Sequence, residues 1–196
     1  SDSEYQSVSS QFMQKWKTSP SPTVKYIAKI VPSQSQEQKW KSYRDSVHNQ
    51  GVKVFGSGSK GNTHRRFHGT AQFCDLGMTG NSRLCNKSNC AVCHIIRSGW
   101  LLSKAGTGLF GKGIYFSSTP SKSNNYNANR GISGGLKSMF VAHVVVGRGY
   151  KLTSTDSSYT APPNGYHSVL GELSNDETIV YEEAAAIPMY LILYKE

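Results

Sequence analysis

Cys74, Cys85, Cys90 and Cys93 fall within twenty residues at the spacing Cys-x10-Cys-x4-Cys-x2-Cys, with His94 directly after the last. Four thiolates fill a tetrahedral zinc shell, and Cys-x2-Cys bends around one ion; a shell so filled has no open position and is structural. Disulfide pairing is the alternative, and it needs an oxidising compartment that nothing else in the sequence supports. His94 competes with Cys74 as a ligand, because Cys74 is set apart from the other three. Four further strings carry groups suited to binding and proton work: Phe67-His68-Gly69-Thr70, Gly111-Lys112-Gly113-Ile114-Tyr115-Phe116, Ser121-Lys122-Ser123-Asn124-Asn125-Tyr126 and Asp176-Glu177-Thr178-Ile179-Val180-Tyr181. Taken singly, a His in a strand reads as a core residue and Gly-x-Gly before an aromatic strand as a turn. Their order is what carries meaning.

In that order the strings resemble the catalytic domain of the poly(ADP-ribose) polymerase family, the diphtheria-toxin-like ADP-ribosyltransferases with a His, a Tyr and a Glu on separate strands. Gly111–Tyr126, GKGIYFSSTPSKSNNY, is the most specific stretch; Pro163–Gly171 and Glu177–Tyr194 also match, so the likeness covers nearly the whole chain. The resemblance implies an α+β fold: a split, mostly antiparallel β-sheet core with flanking helices, the nicotinamide end of NAD sitting between the halves. It implies His68, Tyr115 and Glu177 as the catalytic triad, with His68 holding a ribose hydroxyl and Gly69 clamping the nicotinamide carboxamide through its backbone. Ser123 is then expected to bond the same carboxamide, and Tyr126 to stack on the pyridinium opposite Tyr115. Thr70 keeps the hydroxyl that many members supply as Ser, whereas Thr178 departs from the aromatic frequent after the Glu. Lys122 is placed to reach the diphosphate. The implied activity is an NAD-dependent pentosyl transfer of ADP-ribose with release of nicotinamide.

The residue types suit that chemistry on their own terms. Nicotinamide leaves a cationic pyridinium as a neutral molecule, so the bond needs no general acid, only positioning and stabilisation of an oxocarbenium-like ribose. One carboxylate suffices, where glycosidases use two because their leaving group must be protonated. Flat aromatics suit a flat cationic ring. Glu172 is the rival to Glu177; Glu177 is preferred because it immediately precedes the β-like run Thr178–Tyr181, where a rigid strand holds it. Glu182 and Glu183 read as solvated surface.

Elements able to position these groups are legible in part. Val8, Phe12 and Trp16, four apart, share one helical face, and Ser19-Pro20-Ser21-Pro22 ends that helix. A β-like run follows at Val24–Val31. Ser35 as N-cap, Trp40, Tyr43 and Val47, then Gly51 as a stop, suggest a second helix. Short β-rich runs then dominate: Arg66–Thr70, Gly113–Ser117, Met139–Val146, Thr178–Tyr181 and Met189–Tyr194. Long linkers are expected over Gly56–Asn62 and Arg148–Asn175. The Cys-rich insert, 74–94, is expected to buttress the loop Ser103–Gly113 over the NAD cleft.

The chain of 196 residues is expected to form one domain, residues 1–196, monomeric and cut from something longer, since Ser1 is no start methionine. A hydrophobic content of 37% excludes a disordered tail, and no apolar run reaches the roughly 18 residues of a membrane span, so the chain is expected to be soluble. Charge is uneven: residues 51–150 carry 13 basic and 1 acidic groups, against 2 and 7 in residues 151–196. A basic middle attracts a polyphosphate or a nucleic acid backbone. Three functions remain open: an ADP-ribosyltransferase acting on a macromolecule, protein first and nucleic acid second; an NAD glycohydrolase; and a catalytically silent nucleic-acid-binding module. The intact His68, Tyr115 and Glu177 argue against the last. Zinc-bound thiols place the chain inside the cell, in nucleus or cytoplasm.

Overall fold

The computed structural model describes residues 2–126, 132–173 and 176–196. Helix α1 (Asp2–Lys15) buries Val8 and Phe12, the face expected from their spacing. Phe12 meets Phe67 and Tyr194 at ring-centroid distances of 5.9 and 5.1 Å, which seats α1 on the first sheet. Strand β1 (Thr23–Lys29) leads to α2 (Gln34–Asn49). The N-cap of α2 is Ser33, not Ser35: the Ser33 side chain accepts from the Gln36 N–H while Gln36 reaches back to the Ser33 N–H. Ser33 with Gln36 and Ser35 with Gln38 both have the three-residue spacing a capping box needs, and the chain uses the first pair.

Strands β2 (Thr63–Gly69), β6 (Lys137–Val145) and β10 (Ala186–Lys195) join β1 in an antiparallel sheet of order β1-β10-β6-β2. Strand β6 is buried on both faces, which explains why Met139–Val145 is apolar but for His143: Met139 and Val141 face α1, while Phe140, Ala142 and Val144 face the main core. The second sheet contains β5 (Ile114–Phe116), β7 (Gly149–Leu152), β8 (Ser168–Glu172) and β9 (Asp176–Val180), in the order β5-β9-β8-β7. Among the described residues only β7 and β8 run parallel, so the split, mostly antiparallel architecture holds.

Two expectations about loops need correction. Arg148–Asn175 is no linker, since it carries β7 and β8; Ser174 and Asn175 lie outside the described residues. The parallel β7–β8 pairing is non-local, so alternation within either short strand gives it no signature. Ser103–Gly113 is not free loop either: β3 (Thr107–Gly108) and β4 (Gly111–Lys112) pair as a short hairpin within it. Helix α3 (Ala91–Ser98) follows the cysteines, and α4 (Pro120–Asn124) follows β5. The sheets touch where Phe67 and Ser117 exchange backbone hydrogen bonds of 2.8 and 3.1 Å. That bridge lies one residue from His68 and two from Tyr115, so the seam itself positions the site.

Candidate active site

A cavity of about 1240 Å³ opens along this seam. His68 and Gly69 reach it from the first sheet, Tyr115 and Glu177 from the second, and Lys122 and Ser123 from α4. The His68 Nδ1–H donates to the Tyr115 carbonyl at 2.8 Å. A carbonyl only accepts, so Nδ1 carries the proton and Nε2 is left as an acceptor on the neutral ring. Burial pushes the His68 pKa down, an effect the bond to the Tyr115 carbonyl opposes without cancelling. Trp100, buried, packs edge-on against the imidazole at 5.4 Å.

The Tyr115 hydroxyl donates to the Gly111 carbonyl at 2.8 Å and accepts from the Phe110 N–H at 2.9 Å. Both partners belong to the β3–β4 hairpin, which therefore closes on the ring. A Cβ on Gly108 would stand 2.6 Å from Tyr115 Cζ. Loss of solvent, opposed by the Phe110 N–H and reinforced by the Glu177 charge, pushes the Tyr115 pKa up to about 12. The phenol is neutral at any working pH.

Glu177 sits inside β9, one residue past its start, between β5 and β8. It is 6% exposed, and Oε1 pairs with Lys122 Nζ at 3.0 Å while Oε2 is buried with no partner among the described residues. An orphaned buried oxygen beside a cavity is a place where a ligand's hydrogen bond belongs. Glu172 lies elsewhere: it pairs with exposed Lys151 at 2.8 Å and does not line the cavity. Glu183 is no idle surface group, because its Oε1 accepts from the Leu102 N–H at 2.7 Å and ties down the chain entering the hairpin segment. Its partner lies 81 residues away, beyond any local pattern.

Gly69 is where α4 comes closest to β2. A Cβ there would lie 2.0 Å from the Ser123 carbonyl oxygen, so only glycine fits. Ser123 Oγ donates to the Phe67 carbonyl at 3.1 Å, which leaves its lone pairs available. Thr70 is half-buried in the cavity wall, and Tyr126 stands at the rim, 60% exposed.

The four cysteine sulfurs lie within 4.8 Å of one another. Cys74 Sγ is 3.5 Å from Cys93 Sγ and 3.8 Å from Cys90 Sγ, against the edge of about 3.8 Å that four sulfurs make around zinc at about 2.3 Å. Bonded sulfurs would be about 2.05 Å apart. The Phe73 and Cys85 N–H groups point at Cys90 and Cys93 sulfurs, 3.4 and 3.3 Å away, as donors to thiolates do. Buried Gln72 shapes the first loop by donating to the Cys74 and Leu76 carbonyls. His94 stays outside this group: its Nε2 faces the Lys87 carbonyl at 3.2 Å, and its side chain lines the cavity.

Helix α3 contributes Ala91, His94, Ile95 and Ser98 to the cavity wall, a single face at i, i+3, i+4 and i+7. Cys93 belongs to the same helix and Cys90 is its N-cap. The Cys-rich segment therefore meets the cleft directly, through α3. The periodicity was present in the sequence, masked by the cysteine spacing. The Lys122–Glu177 pair, which sequence reasoning missed, has no local signal because the partners are 55 apart in the chain.

The family profile of the poly(ADP-ribose) polymerase catalytic domain matches residues 2–192. Protein mono-ADP-ribosyltransferase PARP3 of Mus musculus is 37% identical over 94 residues, which cover 46% of this chain and 18% of that protein. The Gallus gallus protein of the same name is 38% identical over 78 residues, 40% of this chain and 14% of its own length. The aligned stretch thus spans less than a fifth of either relative.

Proposed function

The chain belongs to the poly(ADP-ribose) polymerase catalytic-domain family, and from that premise we propose that it carries ADP-ribose from NAD to a protein acceptor, releasing nicotinamide. One observation supports the reading above the rest. Glu177, buried, spends one carboxylate oxygen on Lys122 and keeps the other unpaired among the described residues, beside a cavity it shares with His68 and Tyr115.

In this reading the Glu177 carboxylate opposes positive charge developing on the ribose, where fixed electrostatics act most strongly, and then polarises the incoming acceptor hydroxyl. Lys122 restrains the carboxylate from its far side. His68, neutral, accepts from a ribose hydroxyl through Nε2. Ser123 has already committed its hydrogen to the Phe67 carbonyl, so it meets the amide N–H of the carboxamide and not its oxygen. Gly69 brings bare backbone to the same group, and Tyr115 and Tyr126 supply the aromatic faces. Thr70 adds a hydroxyl to the wall.

Cys74, Cys85, Cys90 and Cys93 hold one zinc ion in the same reading, supported by sulfur spacings that match a tetrahedral edge. Four sulfurs leave no open position, so the ion supplies a cross-link under α3 and no chemistry in the cleft. Thiolates kept for a metal belong to a reducing compartment, nucleus or cytosol. Among the described residues no helix is long and apolar enough to cross a membrane.

Incubation with labelled NAD and a mixed protein and nucleic acid pool tests the assignment. Label on protein with stoichiometric nicotinamide is expected; label on nucleic acid would change the acceptor class, free ADP-ribose alone would make the protein an NAD glycohydrolase, and no nicotinamide would refute the activity. Glu177→Gln is expected to lower turnover about 10²–10³-fold with NAD affinity within a few-fold. More than about a tenth of wild-type turnover in that variant would remove Glu177 from its role.

A further inference from the structure

Both neighbours of Glu177 in β9 are anchored. Thr178 Oγ1 accepts from Arg66 Nε at 3.2 Å, across the seam between the sheets. Asp176 does more: Oδ1 accepts from Ser117 Oγ at 3.1 Å and Thr119 Oγ1 at 3.0 Å, and Oδ2 from the Ser118 N–H at 2.7 Å. These three donors form the whole turn between β5, which carries Tyr115, and α4, which carries Lys122 and Ser123.

The β5–β9 ladder ends at Phe116 opposite Thr178. Asp176 takes over where the ladder stops, holding the turn by its side chain. Ser117 Oγ also accepts from the Thr119 N–H at 2.9 Å, which closes the turn on itself. Thr119 is the N-cap of α4, yet it makes no capping bond to its own helix. Its hydroxyl goes to Asp176 instead. Burial disfavours the Asp176 charge, but the Ser118 N–H, the Ser118 and Thr119 hydroxyls and the Arg66 charge outweigh it and hold the carboxyl below the usual carboxylate range. The clamp is ionised throughout the working range.

We propose that Asp176 is a positioning residue for turnover: its grip on Ser117, Ser118 and Thr119 sets how far α4 stands from β9, and so holds Lys122 against Glu177. The proposal rests on the role of Glu177 given above. Ser123 on the same helix is independently held by Phe67 and by the close approach of Gly69. Among the described residues the Lys122 side chain has no second tether besides Glu177, so loosening the turn moves Lys122 more than it moves the carboxamide site.

The test compares Asp176→Ala, Asp176→Asn and Thr119→Val with wild type, each alone and the alanine variant also in a Lys122→Ala background. Asp176→Ala is expected to lower kcat about 10-fold or more with the KM for NAD within about 3-fold, the signature of misplaced groups. Asp176→Asn still accepts from the Ser118 N–H and donates to the two hydroxyls, so it is expected to restore kcat to within about 3-fold of wild type. In the Lys122→Ala background the Asp176→Ala step should cost less than about 3-fold, because the two act through one contact. Thr119→Val, nearly isosteric, carries the test should the alanine variant not fold. A merely structural Asp176 would lower the melting temperature while kcat per folded molecule and the double-mutant coupling stayed flat. Retention of more than about half of wild-type kcat in both Asp176→Ala and Thr119→Val, or additive losses in the Lys122 background, would overturn the proposal. A crystal structure of a clamp variant reads the Lys122–Glu177 separation whatever the activity: beyond about 4 Å is expected, and an unchanged pair overturns the proposal. Wild-type protein that releases no nicotinamide overturns the activity alone.

Discussion

Gly69→Ala places the site's tightest contact under load. The new Cβ would stand 2.0 Å from the Ser123 carbonyl oxygen and 2.9 Å from its carbon. Neither is the end of a flexible side chain, so the strain cannot be relieved by a rotamer. Restoring ordinary contact, about 3.4 Å, requires a backbone shift of about 1.4 Å. Strand β2 cannot supply it, because Gly69 lies opposite Met139 on doubly buried β6. Helix α4, five residues long, must retreat. That retreat breaks the Ser123 bond to the Phe67 carbonyl and draws Lys122 away from Glu177. Overpacking of this kind costs about 1–3 kcal/mol, and at about 2–4 °C per kcal/mol for a chain this long the melting temperature should fall by about 2–12 °C. Turnover should suffer more, since a displacement of about 1 Å at reacting groups costs about 10²-fold. Differential scanning fluorimetry and nicotinamide release from NAD read the two effects on one preparation. A melting point within about 1 °C of wild type, with more than about half the turnover, would show that α4 yields freely and that the close approach constrains nothing.

Two further outcomes follow from the cysteine cluster and the histidines. Protein purified without added metal should contain about one zinc per chain, and Cys90→Ser should release it, lower the melting temperature and raise the KM for NAD through the α3 wall; less than about half an equivalent in wild type refutes the metal. His143 is pushed down to about 4 by burial and then by the nearby Arg65 charge. Its folded pKa lies below its unfolded value of about 6.5, so the unfolded chain binds the extra proton and stability falls as pH drops from about 6.5 towards 4. Urea titrations should show about 1–2 kcal/mol less stability at pH 5 than at pH 7 from this group, and His143→Gln should flatten the slope; an equal slope in the variant would exclude His143 as the source.

Helix α3 links the cysteine cluster to the cleft wall. The same eight residues of α3 present Cys93 beneath and Ala91, His94, Ile95 and Ser98 to the cavity. Any loss of order in the cluster is therefore felt in the cleft within one helix diameter, about 10 Å.

What could be read from the chain alone was whatever repeats over a few residues. Val8, Phe12 and Trp16 declared a helical face because a helix repeats every 3.6 residues, and all three are buried. Met139–Val146 declared a strand by its β-rich composition, and the structure shows it buried on both faces. The cysteines declared a cluster because their spacing suits one centre, and their sulfurs do converge. The N-cap was not decided locally, since Ser33 with Gln36 and Ser35 with Gln38 offer the same capping-box spacing. Other features had no local trace. Strands β7 and β8 are four and five residues long and pair in parallel, so each depends on a neighbour that folding must bring alongside. Lys122 against Glu177, Asp176 against Ser117–Thr119 and Leu102 against Glu183 are contacts between segments 55 to 81 residues apart. Residue types propose such partners in great number; the register of β9 beside β5, and the seam at Phe67 and Ser117, selected these.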